Sequence, residues 1–233
     1  MNVVILGATR GMGRALARMM AERGDRVFLL GRDPGDLNKA IADLEARSTT
    51  APAGSAIADL TEPDTFAPAL DTAESALGNI DVVVVTAGDF GTQVELESDR
   101  TRLERLLDTN FTGTILFCET ARAYLLGGDG TLCVFSSVAG DRGRKPVGLY
   151  GAAKAGLTRY LEALDHRYRL EGLRVVCVKP GFVKTGMTAD LKPPPFAGEP
   201  EAVARQTLKA IDRGTPVVYA PPVWRWIMVV IRH

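Results

Sequence analysis

The sequence predicts an α/β protein: one domain built on a doubly wound parallel sheet of about seven strands. Two observations lead there. Short runs such as Val3-Val4-Ile5-Leu6 and Val82-Val83-Val84-Val85 are apolar at every residue, as strands buried on both faces require. Amphipathic helical segments separate these runs, and regular strand–helix alternation calls for right-handed crossovers between parallel neighbours. A length of 233 residues with 46% hydrophobic content suits a single domain with a sizeable core.

Asn2–Leu6 reads as the first strand. Gly7-Ala8-Thr9-Arg10-Gly11-Met12-Gly13 follows at once, and then a helix with Ala15, Leu16, Met19 and Met20 on its apolar side, closed by Gly24. A glycine loop between a buried strand and an amphipathic helix lets the backbone approach a pyrophosphate and turns free N–H groups toward it. Gly7, Thr9, Arg10, Gly11, Met12 and Gly13 are therefore candidate dinucleotide-binding residues. Arg26–Leu30 is the second strand, ending at Gly31-Arg32, and Asp33-Pro34 opens a helix to Arg47. Ser55–Ala58 is a third strand ending at Asp59, followed by a helix over Glu62–Leu77. Asp81–Val85 ends at Thr86-Ala87-Gly88. One long helix is expected over Ser98–Leu126, with Asn110 inside it. Thr131–Phe135 delivers Ser136 and Ser137, and the helix holding Tyr150 runs to Glu171. Arg174–Val178 ends at Lys179-Pro180-Gly181. A helix runs from Glu199-Pro200-Glu201 to Arg213, and Pro216–Tyr219 is the last strand. Each motif falls just after a strand. Ligands in such sheets bind at the carboxyl ends of the strands, so residues scattered in sequence converge in space. Thr185–Pro200, with three successive prolines, is the one irregular stretch. It borders the substrate site or serves as a surface connection.

Tyr150 and Lys154 are four residues apart, which places them one turn apart on one helix face. A free Tyr titrates at about 10, and a neighbouring ammonium favours the phenolate. Bringing the phenol to about 7 requires roughly 4 kcal/mol, part from Lys154 and more from the charge of an oxidised nicotinamide. A Tyr so tuned exchanges a proton with a carbonyl or alcohol oxygen. Ser137, thirteen residues earlier, can hydrogen-bond the same oxygen. An isolated Tyr-x3-Lys pattern reads more simply as a buried phenol with its Lys reaching water. Convergence with the other motifs favours the chemical reading.

In order, Gly7-x3-Gly11-x-Gly13, Asp59-Leu60, Ala87-Gly88, Asn110, Ser137, Tyr150-x3-Lys154 and Pro180-Gly181-x-Val183-x-Thr185 resemble the short-chain dehydrogenase/reductase family over residues 2 to 220. The resemblance implies a Rossmann-like sheet and NAD(P)(H)-dependent hydride transfer between an alcohol and a carbonyl. It implies Tyr150 as the acid/base, Lys154 on the nicotinamide ribose, Ser137 orienting the substrate oxygen, and Asn110 holding a water that relays protons to Lys154. It also implies Asp59 at the adenine and Thr185 at the nicotinamide end or pyrophosphate, with Leu60, Ala87, Gly88, Pro180, Gly181 and Val183 in the remaining cofactor motifs. Leu6 stands where Thr is usual, and Thr86 replaces an Asn. Both changes bear on packing behind the cofactor. A homo-oligomer, dimer or tetramer, is implied, built on the Ser98–Leu126 and Tyr150–Glu171 helices. A dinucleotide fold that prefers NAD places Asp or Glu after the second strand, where this chain has Gly31 and Arg32. With Arg10 as a second cation, the expectation is NADP(H) in preference to NAD(H). The alternative is a non-enzymatic NADP(H)-binding sensor or scaffold, which would not need Ser137, Tyr150 and Lys154 together.

Other classes fit poorly. Ser137 lacks the GxSxG elbow of a hydrolase nucleophile, and the two histidines, His166 and His233, lie outside the motif loops. No cluster of metal ligands is visible. Lys+Arg and Asp+Glu both number 28, without the basic excess of a nucleic-acid binder. Cys118, Cys133 and Cys177 sit in apolar runs without a CxxC pair and read as reduced, buried residues of a cytoplasmic protein. No signal peptide or membrane-length apolar run is apparent. The segment 221–233 is apolar from Pro222 onward apart from Arg225 and Arg232, and its two Trp beside cations suit a membrane interface. This end resembles those of short-chain reductases acting on lipid-linked sugars, so the expected carbonyl substrate is a small molecule or lipid-linked. Docking on the body or a neighbouring subunit and peripheral membrane contact both stay open.

Overall fold

Seven parallel strands carry the chain: β1 (Asn2–Leu6), β2 (Arg26–Gly31), β3 (Gly54–Ile57), β4 (Val82–Val85), β5 (Thr131–Phe135), β6 (Arg174–Pro180) and β7 (Val217–Ala220). The computed structural model describes residues 1–233 apart from Thr49, Asp190 and His233. The strands lie in the order β3-β2-β1-β4-β5-β6-β7, every neighbour parallel. Helices α1 (Gly11–Glu22), α2 (Pro34–Glu45), α3 (Phe66–Leu77), α4 (Gln93–Ser98), α5 (Arg100–Leu107), α6 (Gly113–Leu125), α7 (Gly148–Tyr168), α8 (Pro200–Arg213) and α9 (Val223–Arg232) complete the architecture. Strand boundaries fall within one or two residues of those expected from the sequence.

Alternation along each strand divides the core into two layers. Val4, Leu6, Phe28 and Leu30 face one layer with Phe66, Leu70, Phe117 and Leu157 from α3, α6 and α7. Val3, Ile5, Val27 and Leu29 face the other with Leu16, Met20, Leu37 and Ile211 from α1, α2 and α8. Burial on both faces is why the strands show no polar alternation. The winding reverses between β1 and β4, which opens a crevice at their carboxyl ends. Cys118, Cys133 and Cys177 are free and buried.

The helix expected over Ser98–Leu126 is not continuous. A capping box between Thr92 and Glu95 starts α4, which stops at Asp99; the Asp99 carboxylate then accepts from the Arg102 amide at 3.0 Å and starts α5. Between α5 and α6, Asp108–Thr112 form a π-helical turn. The widened turn carries Asn110 into the interior, where it is fully buried. Glycine is required at 113, because a Cβ there would lie 1.8 Å from the Leu60 carbonyl oxygen.

The C-terminal helix has two unlike sides. Trp224 and Met228 are buried with Val138, and Phe182, Tyr219, Ile227 and Ile231 pack around them. Gly181 makes room: a Cβ there would stand 1.9 Å from Trp224 Nε1. Trp226, Val229 and Val230 face outward, with Trp226 70% exposed. Docking on the body therefore describes one side of α9 only. The end of this segment, His233, lies outside the described residues. Among the described residues no helix is long and apolar enough to cross a membrane. The stretch Thr185–Pro200, of which Asp190 also lies outside the description, leaves and rejoins the body at one point. Gly198 N–H donates to the Phe182 carbonyl at 2.8 Å, and Lys184 N–H donates to the Gly198 carbonyl at 2.9 Å.

Candidate active site

The glycine loop is pressed against the end of β4. Gly7 has φ +99°, and a Cβ on it would come within 2.5 Å of Ala87 N. A Cβ on Gly13 would lie 2.3 Å from both the Gly7 carbonyl oxygen and Thr86 Oγ1. Thr86 donates to the carbonyls of Leu6 and Gly7, at 3.2 and 3.0 Å. A threonine at 86 thus ties the loop to β4 by side-chain chemistry. The cap residue of α1, Arg10, supplies no side-chain acceptor, and the first turn holds no acidic residue. The leading N–H groups of α1 are left to an anion. Thr185 reaches the same place, its Cγ2 lying 3.3 Å from a Cβ built on Gly11. Val183, two residues earlier, is buried in the core layer of α1 and α8. This close-packed loop, with small residues at its tight points, fits a dinucleotide pyrophosphate; the sequence candidates Thr9, Gly11, Met12 and Gly13 lie on it and on the first turn of α1.

Beyond the end of β2, Arg32 is exposed. Arg10 is 81% exposed and pairs with Asp36 at 2.6 Å, a partner the sequence pattern did not single out. Asp33 caps α2 by accepting from the Asp36 amide at 2.7 Å. At the end of β3, Asp59 Oδ1 accepts from the Thr61 amide and hydroxyl, both at 2.9 Å. Leu60 is a core residue of the α3/α6 layer.

Ser137, Tyr150 and Lys154 come together because α7 lies almost in contact with the turn after β5. A Cβ on Gly140 would meet Ala155 N at 2.7 Å, and one on Gly151 would meet the Ala139 carbonyl oxygen at 2.8 Å. Ser136, which the sequence reading passed over, fastens this contact: its hydroxyl donates to the Lys154 carbonyl at 3.0 Å and lies 2.7 Å from Thr158 Oγ1. The Ser137 hydroxyl accepts from the Ala139 amide at 3.1 Å and hydrogen-bonds the Tyr150 phenol. Lys154 is buried and donates to the Phe135 carbonyl at 3.1 Å. Burial pulls the Lys154 ammonium down to about 8. Burial pushes the Tyr150 phenol up to about 12, with only the Ser137 hydrogen bond acting the other way. The expected lowering of Tyr150 by Lys154 is therefore not what the protein alone provides. The ammonium stands 6.0 Å from the Tyr150 ring centroid and gives one of its N–H groups to the Phe135 carbonyl.

Asn110 holds the turn after β4. Its Oδ1 accepts from the Asp89 amide at 3.1 Å, and its Nδ2 donates to the Asp89 carbonyl at 2.7 Å. Asn110 Oδ1 and Lys154 Nζ lie 2.9 and 3.7 Å from a Cβ built on Gly88, so this glycine separates the amide from the ammonium. Two further neighbours gave no motif signal. Phe90 packs edge-on against the Tyr150 ring at 5.2 Å. Trp224 covers Gly181 beside Pro180. The carboxyl ends of β1, β4, β5 and β6 thus bring the glycine loop, Ala87-Gly88, Ser137, Lys154 and Pro180-Gly181 to one edge of the sheet.

Comparison with known proteins bears on the family and the fold. The short chain dehydrogenase family profile matches residues 1–195. An uncharacterized oxidoreductase of Myxococcus xanthus is 34% identical over 229 residues, covering 94% of this chain and 87% of that protein. Carbonyl reductase family member 4 of Xenopus laevis is 28% identical, covering 89% of each chain. A short-chain type dehydrogenase/reductase from Mycobacterium ulcerans superposes with a TM-score of 0.84 at 25% identity, covering 93% of this chain and 86% of the other. With its glycine-loop cradle and parallel sheet, the chain belongs to the short-chain dehydrogenase/reductase family of NAD(P)-dependent oxidoreductases.

Proposed function

We propose that this enzyme reduces a carbonyl compound with NADPH, Tyr150 giving a proton to the substrate oxygen. The carrying observation is the joined set of Ser137 hydroxyl, Tyr150 phenol and buried Lys154 at the carboxyl end of β5. The nicotinamide, when bound, supplies the hydride that the carbonyl carbon accepts. Ser137 hydrogen-bonds the substrate oxygen and holds it beside the phenol. Tyr150 releases its proton to that oxygen as negative charge develops there. Lys154, at about 8 still mostly protonated at neutral pH, stabilises the resulting phenolate. In the same reading Asn110 fixes the Gly88-Asp89 turn beside Lys154; after turnover the ammonium gives a proton to the Tyr150 phenolate, and a water held at that turn returns one to the Lys154 amine. The substrate is a small-molecule or lipid-linked carbonyl compound, to be identified by following NADPH oxidation against ketones, keto-sugars and acyl carbonyls. Tyr150→Phe should lower turnover by about 10²–10⁴-fold and leave cofactor affinity nearly unchanged. A variant that keeps more than about a tenth of the wild-type rate would sink the assignment.

The preference for NADP(H) follows from charge at the end of β2. In this reading Arg32 and Arg10 take a ribose 2′-phosphate by charge-assisted hydrogen bonds, Arg10 exchanging Asp36 for the phosphate. Steady-state kinetics with both cofactors should show higher kcat/KM for NADPH, and Arg32→Asp should weaken or reverse the preference. Equal kcat/KM for NADPH and NADH in the wild type contradicts it.

The proposed setting is a cytoplasmic homo-oligomer packed through the α5–α6 and α7 helices, with peripheral membrane contact through segment 222–233. The outward side of α9, with Trp226, Val229 and Val230, supports the last point. The full chain should co-sediment with anionic liposomes, and Trp226→Glu should abolish this without loss of soluble activity. Failure of the intact chain to bind removes the membrane contact, and a monomer in sedimentation velocity removes the oligomer.

A further inference from the structure

The ring that touches Tyr150 is not held by regular structure. Phe90 lies between β4 and α4, and its ring stands at 70° to the Tyr150 ring. Three side chains fix it through the four backbone polar groups of Asp89 and Phe90. Asn110 takes the amide and the carbonyl of Asp89. The Asp89 carboxylate accepts from the Phe90 amide at 2.8 Å. Arg102, on α5, donates to the Phe90 carbonyl at 2.8 Å. The same guanidinium grips the Asp89 carboxylate with both terminal nitrogens, Nη2 to Oδ1 at 2.9 Å and Nη1 to Oδ2. A second tie lies next door: Gln93 Oε1 accepts from the amide of Leu149, the residue before Tyr150, at 3.0 Å.

The Arg102–Asp89 pair is partly open to water, at 35% and 25% side-chain exposure, and pairs of this kind add little to stability. Its geometry is another matter. A planar fork that holds one carboxylate and one carbonyl at once fixes direction as well as distance, which an ammonium cannot do. We propose that Arg102 is a positioning residue for the reaction, fixing the Tyr150 ring through Asp89 and Phe90. Arg102 touches no reacting atom. Its effect is on the angle at which the Tyr150 hydroxyl meets Ser137 and the substrate oxygen. The inference rests on Tyr150 as the proton donor.

The test is fluorine NMR of the full-length protein with fluorotyrosine at its five tyrosines, the Tyr150 signal being assigned by its loss in Tyr150→Phe. Arg102→Ala and Phe90→Leu should each shift or split the Tyr150 signal and leave the other four in place. Arg102→Lys, which keeps charge but not the fork, should fall between wild type and Arg102→Ala. Turnover of the carbonyl compound reduced fastest by the wild type should drop about 10- to 100-fold in Arg102→Ala, with the Kd for NADPH within about threefold. An unchanged Tyr150 signal in Arg102→Ala overturns the proposal, as does a shift of all five signals, which would mark a general structural support. Turnover retained in Tyr150→Phe defeats the catalytic reading instead, and the NMR result still decides whether Arg102 sets the ring.

Discussion

The site depends on how closely α7 can approach the end of β5. Gly140 and Gly151 are backbone against backbone, and any side chain at either position would push the helix away. Ser136 then fixes the register of the contact by hydrogen-bonding the carbonyl of Lys154 itself. From that register follow the meeting of Ser137 with Tyr150 and the reach of Lys154 to the Phe135 carbonyl. The glycine loop is built on the same plan. Gly7 and Gly13 close on Ala87 and Thr86, so the two halves of the crevice are set by absent Cβ atoms on both sides of the sheet's switch point.

Close packing has an electrostatic cost that bears on function. Lys154 and Tyr150 both lose water, and the two groups shift in opposite directions: the ammonium down to about 8, the phenol up to about 12. Both shifts favour neutral forms. At neutral pH the phenol keeps its proton and the ammonium is still mostly charged. Positive charge arriving beside Tyr150 would favour its phenolate and so oppose the effect of burial on the phenol.

The parallel sheet, its strands and the edge at which the motifs meet were legible in the sequence, because fully apolar β-branched runs and glycine loops have few other uses. The broken helix was not. Apolar periodicity continues across Asp99 and Asp108–Thr112, and a capping box such as Thr92-x-x-Glu95 marks a helix start without saying where the helix ends. Tertiary partners were the other hidden layer. Asp36 beside Arg10, Phe90 against Tyr150 and Trp224 over Gly181 are each far in sequence from the partner they meet, and only folding brings them together. At the C-terminus, composition showed an apolar segment, whereas the division of α9 into a docked side and an outward side depends on where the helix lies.

The central claim is that Tyr150 becomes an acid/base near neutral pH only when positive charge joins it. The direct measurement is the near-ultraviolet titration of tyrosinate, as the difference between wild type and Tyr150→Phe, with and without saturating NADP⁺. The account predicts that Tyr150 titrates at about 12 in the free protein. With NADP⁺ bound it should fall toward about 7, the range in which a general acid–base works best. A Tyr150 pKa that stays at about 12 with the cofactor in place would contradict it.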